Sequence, residues 1–190
     1  PSSVTENGST TATLTWENAH GNLKAIDAFT GQRAKQFGFS VDDRLMESRD
    51  VDSETEWRYA YDTGGERIAR WTDDGGALGL EMDVFIRNEG GQVLSEWHYD
   101  ADVPSLAPTR EYVLGHGVLA QMDVSPGFTD LHYLVHDHLG SGRVLLADNG
   151  AIAETYDFLP FGEFTDTSAS SPSTTKLFTG HERDLGQYGT

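Results

Sequence analysis

Three histidines in the C-terminal third of the chain are the first candidates for chemistry: His132, His136 and His138. His136 and His138 are two residues apart, so they would share one face of a β-strand, and imidazole nitrogens are common zinc ligands. The chain has no cysteine to complete such a site. A histidine beside a turn more often donates a hydrogen bond to a backbone carbonyl than binds zinc. We therefore predict no metal-binding residues here.

An acidic run, "DVDSETE" at residues 50–56, raises the question of a calcium site. An EF-hand loop that began at Asp50 would need glycine at its sixth position and glutamate at its twelfth. The chain has Thr55 and Tyr61 at those positions. An irregular calcium site stays open, but the favoured interpretation is a solvated edge strand whose charges discourage aggregation between sheets.

Hydrolytic chemistry has only weak support in the sequence. With 31 acidic residues, almost any fold brings two carboxylates close enough for a glycosidase pair. Ser141 lies between two glycines, but Leu139 stands where a Gly-x-Ser-x-Gly elbow needs glycine. The stretches "GHGVLA" and "GSGRVL" lack the lysine of a phosphate-binding loop. We predict no catalytic and no cofactor-binding residues, so the chain is not expected to be an enzyme.

The composition favours one all-β module. The chain has 190 residues, 37% of them hydrophobic, which is enough for one core. No apolar run approaches the roughly 20 residues that cross a bilayer, so we expect no membrane-spanning segment. The net charge of −18 would repel nucleic acid and anionic lipid, and both are excluded as partners. The first residue is Pro1 and no signal peptide is visible, which suggests a processed or incomplete polypeptide.

A repeat of β-hairpins runs along the chain. Trp57, Tyr59 and Tyr61 alternate along one predicted strand, which ends at the turn "DTGG". Similar turns recur, and each is followed by an apolar residue that opens the next strand. These apolar residues are Leu23, Leu45, Ile68, Val93, Val118 and Val144. Their separations of 22, 23, 25, 25 and 26 residues are typical of stacked units that cannot bury an apolar face alone.

The residues of the repeat suit structural roles. Aspartate at a turn accepts hydrogen bonds from backbone amides, and glycine adopts the positive φ that tight hairpins require. Arg44, Arg67 and Arg143 follow turns and are predicted to pair with an aspartate of a neighbouring unit. The Ser/Thr-rich residues 165–175 are predicted to form a flexible loop, or a glycosylated one. Leu177 and Phe178 are apolar enough to return to the sheet.

The C-terminal motifs resemble the repeat-associated core of Rhs proteins, and the looser repeat resembles the Tyr-Asp (YD) repeats of Rhs and teneurin-type proteins. The motifs, in order, are "HDHLGSGR" at 136–143, Asn149-Gly150, "YDFLPFGE" at 156–163 and "FTGHERD" at 178–184. The family turn contains the same "HDH", so residues 133–163 are read as one repeat unit. Repeats in the first half depart from Tyr-Asp, with Trp16-Glu17 and Phe39-Ser40 in its place.

The resemblance implies degenerate YD-type hairpins over residues 1–130 and a truncated core-like segment over residues 131–190. Family members wind their repeats into a spiral β-shell that encloses a C-terminal toxin, or form a cell-surface adhesion scaffold. Some cleave themselves in a "DP-x-G" region beyond the "GHERD" segment. This sequence stops at Thr190, before that region, so no autoproteolytic residue is assigned.

The resulting prediction is an all-β chain of successive antiparallel hairpins in a curved or spiralling, solenoid-like sheet. The predicted function is a structural shell segment of a secreted or cell-surface protein. Its predicted partners are neighbouring repeats of the same or an identical chain and an enclosed toxin domain, and a homo-oligomer stays open. The alternatives are an adhesin or self-assembling filament subunit and, third, a glycan-binding β-protein.

Overall fold

The computed structural model describes residues 2–6, 9–17, 20–27, 34–73, 80–102, 104–160, 164–167 and 173–180. Within these residues the chain forms fifteen β-strands and one short 3-10 turn, Phe178–Gly180. The strands are β1 Ser2–Glu6, β2 Ser9–Trp16, β3 Leu23–Ile26, β4 Lys35–Phe39, β5 Leu45–Asp50, β6 Glu56–Tyr61, β7 Arg67–Asp73, β8 Leu80–Arg87, β9 Val93–Asp100, β10 Ser105–Leu114, β11 Val118–Ser125, β12 Phe128–His136, β13 Gly142–Ala147, β14 Ile152–Phe158 and β15 Phe164–Thr167.

The order of the strands in the sheet is their order in the chain, from β1 to β15, without a crossover. The pairs from β1–β2 to β7–β8 and from β10–β11 to β14–β15 are antiparallel. Short connections between neighbouring strands favour this arrangement, because a tight turn can only join antiparallel partners. The predicted class, all-β with successive antiparallel hairpins, is confirmed.

One local geometry recurs in several of the described hairpin turns, spaced along the repeat. In each turn the first residue donates its backbone N–H to the carbonyl four positions later, and the N–H three positions later donates back to the first residue's carbonyl. The first residues are Ser40, Asp62, Asn88 and Asp137. The residue three positions after each has a positive φ, namely Asp43 (63°), Gly65 (93°), Gly91 (78°) and Gly140 (81°). This combination is a type I turn followed by a bulge residue in the left-handed region.

The predicted period corresponds to two strands. Leu23, Leu45, Val93 and Val118 are the first residues of β3, β5, β9 and β11, and the other two markers lie inside β7 and β13. One repeat is therefore one odd-numbered strand together with the even-numbered strand beside it. A strand pair of this size cannot bury an apolar face alone, so each repeat depends on the next.

The first of two compact units comprises Pro1–Arg87 and Trp97–Ala107. Its core includes Tyr59, with no exposed surface, and Phe85. The guanidinium of Arg67 lies 5.5 Å from the centroid of each of these rings. Aromatic rings and arginines therefore alternate across neighbouring strands, where cation–π contacts add to the burial of the rings.

The second unit comprises Asn88–Glu96 and Pro108–Thr190. Its apolar core is formed by Leu134, Leu145, Tyr156 and Leu177. Three of these residues come from strands, whereas Leu177 comes from the segment that follows β15. This core therefore requires contact between a hairpin ladder and a segment distant from it in sequence.

Two predictions about loops are corrected here. Residues 50–56 are not an edge strand, because β5 and β6 have neighbours on both sides and residues 51–55 are the turn between them. The side chain of Asp50 accepts hydrogen bonds from the backbone of Asp52 and Ser53, which fixes that turn. Of residues 165–175, the first three belong to β15, residues 168–172 lie outside the described residues, and the last three pack on the sheet.

No helix in the described part of the chain is long and apolar enough to cross a membrane.

The predicted boundary between degenerate repeats and core-like segment, at residues 130/131, rests on sequence motifs and not on compactness. It stays a prediction.

Candidate functional site

Side chains at the turns connect each hairpin to a neighbouring one. In the first unit, Arg44 donates to the carbonyl of Asp62 over 3.1 Å, and the hydroxyl of Tyr61 donates to the carbonyl of Leu45 over 2.7 Å. In the second unit, Arg143 donates to the side chain of Asp157 over 3.0 Å. Because the bonded residues are 14 to 18 positions apart, each contact joins one hairpin to the next.

The predicted pairing of an arginine with an aspartate of a neighbouring hairpin is confirmed at Arg143. Arg143 contacts Asp157 of the following strand, as expected, and also Asp137 of its own turn. Arg44 instead pairs with Asp42 in its own turn and reaches the next hairpin through a backbone carbonyl. Arg67 lies over aromatic rings.

The turn "HDHLGSGR" is organised by Asp137. One carboxylate oxygen accepts hydrogen bonds from the backbone N–H groups of Leu139 and Ser141, and the other accepts from Arg143. Burial raises the pKa of this carboxyl, but the hydrogen bonds from Ser141 and Leu139 outweigh it and the pKa is lowered. The histidines on either side do not share a role, since His136 ends β12 and is half-buried, whereas His138 is exposed in the turn. Burial lowers the pKa of His136.

A second feature is a buried polar cluster on one face of the second unit. Its members stand at alternate positions of their strands, and the register places Arg110 opposite Asp123, Tyr112 opposite Gln121, and Gln121 opposite His132. Glu96 of β9 and Glu154 of β14 complete the cluster. Alternate residues of neighbouring strands share a face, so these side chains converge.

Residues 173–180, here called the strap, lie on this cluster. The carbonyl of Ser173 accepts hydrogen bonds from Arg110 over 2.8 Å and from Gln121 over 3.1 Å. The backbone N–H of Ser173 donates to Glu154 over 3.1 Å, and its hydroxyl donates to the same carboxylate. The hydroxyl of Thr175 lies 3.1 Å from that of Tyr112. The first residues of the strap are thus bound through both backbone and side chains.

The other end of the strap binds the β12–β13 hairpin. The backbone N–H of Gly142 donates to the carbonyl of Leu177 over 2.9 Å. The backbone N–H of Thr179 donates to the hydroxyl of Ser141 over 3.0 Å. The ring of Phe178 lies 5.6 Å from that of Phe158. Leu177 and Phe178 return to the sheet as predicted, by packing on its face.

Gly142 leaves room for the strap. A Cβ atom at this position would lie 2.8 Å from the backbone carbonyl oxygen of Lys176, which is closer than such atoms approach. Glycine is therefore required by the close passage of another backbone. The "SGR" part of the hairpin motif thus lies against the backbone that immediately precedes the "FTG" motif.

Charges in the cluster are paired in a largely dry environment. Arg110 bonds Asp123 over 2.5 Å and lies 3.8 Å from Glu96. Burial lowers the pKa of Arg110, but Tyr112, Asp123 and Glu96 together raise it further than burial lowers it. Burial, with the charge of Glu96, raises the pKa of the Tyr112 phenol, so Tyr112 stays a hydrogen-bond donor to that carboxylate.

Lys176 and Tyr156 extend the same pattern. The ammonium of Lys176 lies 5.1 Å from the centroid of the Tyr112 ring, and the residue is only 5% exposed. Burial and a hydrogen bond to Glu154 raise the pKa of the Tyr156 phenol. Acidic side chains of the sheet thus accept hydrogen bonds from phenols and from the strap.

The arrangement is suited to holding a peptide segment. Ser141, considered above as a nucleophile, is buried and its hydroxyl accepts a hydrogen bond from the strap. His132 lies 3.6 Å from Asp123 and 3.7 Å from Asp130. Among the described residues, no group of three histidine, cysteine or acidic side chains could hold a metal ion.

Sequence reasoning missed the cluster and the role of the strap. The cluster could have been suspected from charged residues at inward-facing positions of apolar strands, such as Arg110 and Glu154. Such residues indicate a buried polar contact, because a buried charge needs a partner. The partner itself could not be identified, since Ser173 is 63 residues from Arg110. The "FGE" end of one motif (residues 161–163) and the "HERD" end of another (residues 181–184) lie outside the described residues.

Fold and site together define an all-β repeat protein in which a C-terminal strap is bound across a hairpin ladder. No protein-family model matches the chain, and no curated protein matches it.

Solved structures share the fold. A crystal structure of TcdB2-TccC3-Cdc42 is similar with a TM-score of 0.59 at 15% identity, over 94% of this chain and 11% of that one. A structure of the Photorhabdus luminescens Tc holotoxin pore, mutated in TccC3, gives 0.59 at 16% identity, over 94% and 11%. TcdB2-TccC3 without its hypervariable C-terminal region gives 0.57 at 14%, over 94% and 11%. The chain thus spans about a tenth of the length of these proteins, and the likeness is one of fold.

Proposed function

We propose that the chain is a structural segment of a YD-repeat shell of the Rhs type, in a secreted or surface-exposed protein that encloses or displays a C-terminal toxin or effector. The strand order carries this proposal. Because the order follows the chain from β1 to β15, each repeat adds two strands beside the last, and the sheet can be extended by further repeats.

The similarity of fold supports the same proposal. The structures that share this fold belong to TcdB2-TccC3 and to a Tc holotoxin pore, and one lacks a hypervariable C-terminal region. By analogy, this chain is a constant part that stands before a variable C-terminal region. The partners would be the neighbouring repeats and the enclosed domain.

The use of the polar residues supports a structural rather than a catalytic role. The carboxylates of Glu96 and Glu154 accept hydrogen bonds from tyrosines and from the strap. Ser141 is bonded to Thr179. These groups stabilise the contact between segments, and in this proposal they do not act on a substrate.

The proposal can be tested on the complete reading frame in which this sequence occurs. We expect its C-terminal region to resist proteolysis in the intact protein, and to be digested once Tyr59→Ala has loosened the repeats. A C-terminal region digested equally fast in both proteins would contradict enclosure.

Experiments on the purified 190-residue chain distinguish the shell segment from a filament subunit and from a glycan-binding protein. Growth of ordered fibres, seen by electron microscopy, would support the filament subunit instead of the shell. Saturable binding of a saccharide, abolished by replacing an exposed aromatic residue, would support the glycan-binding protein.

A further inference from the structure

The strap is bound to the second unit in the way that a separate peptide is bound. Its hydrogen-bond partners on the sheet are far from it in sequence: Ser173 is 19 residues from Glu154, 52 from Gln121 and 63 from Arg110. Local chain connectivity therefore does not bring these groups together. The binding energy has to come from the contacts themselves.

Those contacts distinguish one sequence from another. Glu154 accepts hydrogen bonds from the backbone and hydroxyl of Ser173, and the Tyr112 hydroxyl lies within hydrogen-bond distance of Thr175. The ammonium of Lys176 lies over the ring of Tyr112. Thr175 and Lys176 are buried where they meet Tyr112, and buried, paired polar groups discriminate strongly against ligands that lack the partner.

An apolar anchor stands beside the polar contacts. Leu177 is 2% exposed and packs with Leu134, Leu145 and Tyr156. A buried aliphatic anchor next to paired polar groups is the usual composition of a tight peptide-binding site. The side chain of Thr174, with no exposed surface, shows that the segment is embedded and not laid loosely on the face.

We propose that this face of the second unit is a peptide-binding groove specific for residues 173–180, which holds them by noncovalent contacts alone. The groove keeps the strap bound after the chain is cut between β15 and Ser173. This goes beyond the proposed shell function, because it assigns sequence-specific, noncovalent binding of a peptide segment to this face of the second unit.

The test uses the full chain with a protease recognition sequence inserted within residues 168–172. After cleavage, we expect the two fragments to elute together in native size-exclusion chromatography and to separate in denaturant. Separation of the fragments under native conditions, with the larger one still folded by circular dichroism, would overturn the proposal.

Peptide exchange then measures specificity without altering the protein. A fluorescent peptide of residues 168–182 should replace the cleaved strap slowly and give a polarised signal. We expect the Leu177→Ala peptide to dissociate about 30-fold faster or more, and a scrambled peptide not to bind. Equal binding of the scrambled peptide would mean that the groove does not read the sequence, and the proposal would fail.

A pair of glycine variants tests the groove itself. Gly142→Ala places a methyl group against the carbonyl of Lys176, whereas Gly117→Ala places one in open space. We expect the first variant to lose the cleaved strap and the second to retain it. If Gly142→Ala fails to fold, the peptide series decides the matter alone.

Discussion

The hydroxyl of Ser141 accepts a hydrogen bond of 3.0 Å from the backbone N–H of Thr179, 38 residues further along the chain. Ser141 belongs to the "HDHLGSGR" motif and Thr179 to the "FTG" motif. These two short motifs therefore form the two sides of one contact. Gly142 adds to it, because only a residue without a side chain lets the strap pass this close.

Burial of the repeat aromatics predicts a large difference between two tyrosines. Tyr59 of β6 has no exposed surface, whereas Tyr133 of β12 is 44% exposed. We expect Tyr59→Ala to lower the free energy of unfolding by about 3–5 kcal/mol, and Tyr133→Ala by about 1 kcal/mol or less. Denaturant unfolding measures both values. Losses of similar size would contradict the placement of Tyr59 in the core.

The tyrosine hydroxyl in the polar cluster is expected to stabilise the strap. The Tyr112 hydroxyl donates to Glu96 over 2.6 Å, and this hydrogen bond is charge-assisted. Tyr112→Phe should lower the free energy of unfolding by about 1.5–3 kcal/mol, because a buried carboxylate loses a donor. Tyr133→Phe is the control and should change it by less than about 0.5 kcal/mol.

A double-mutant cycle with Glu96→Gln tests whether this energy belongs to the pair. We expect a coupling energy above about 0.5 kcal/mol between positions 96 and 112. Additive losses would show that the two groups act independently.

The turn geometry predicts that Asn88 acts through its side-chain carbonyl. That oxygen accepts hydrogen bonds from the backbone of Gly90 over 2.9 Å and of Gln92 over 3.0 Å. Asn88→Ala should cost about 1–2 kcal/mol of unfolding free energy, whereas Asn88→Asp, which keeps the acceptor, should change it by less than about 0.5 kcal/mol. Thermal unfolding of the two variants measures these losses. Equal losses would mean that the side-chain oxygen of Asn88 does not stabilise the turn.

The pKa of His136 predicts how stability depends on pH. Burial lowers its pKa in the folded protein below the usual 6.5. As the pH falls below that value, the unfolded chain binds the proton more readily than the folded chain, so stability decreases. Between about pH 7.5 and about pH 5.5 we expect a fall in the unfolding midpoint that is smaller in His136→Gln.

His138→Gln is the matched control for that measurement, because His138 is exposed in the same turn. It should retain the pH dependence of the original sequence. A fall that persists unchanged in His136→Gln would assign the effect to other groups.

Short-range signals in the sequence are enough to specify the hairpin ladder. Alternation of apolar residues sets which strand face is buried, and turn residues such as Asp62 and Gly65 set where the chain reverses. These signals act between residues a few positions apart, so the period of 22 to 26 residues and the all-β class could be deduced from the letters alone. The order of strands followed, because short turns leave neighbouring strands little choice of partner.

The segment that covers the sheet in the second unit could be identified only from the packing of the folded chain. The predicted flexible loop ends in Thr174 and Thr175, which are buried, and Ser173 is bonded to Arg110. A Ser/Thr-rich segment has the composition of an exposed loop, and its burial becomes favourable only when distant strands supply partners for its polar groups. Those partners lie 19 to 79 residues away, beyond the range at which sequence periodicity carries information, so packing and not pattern fixed the strap.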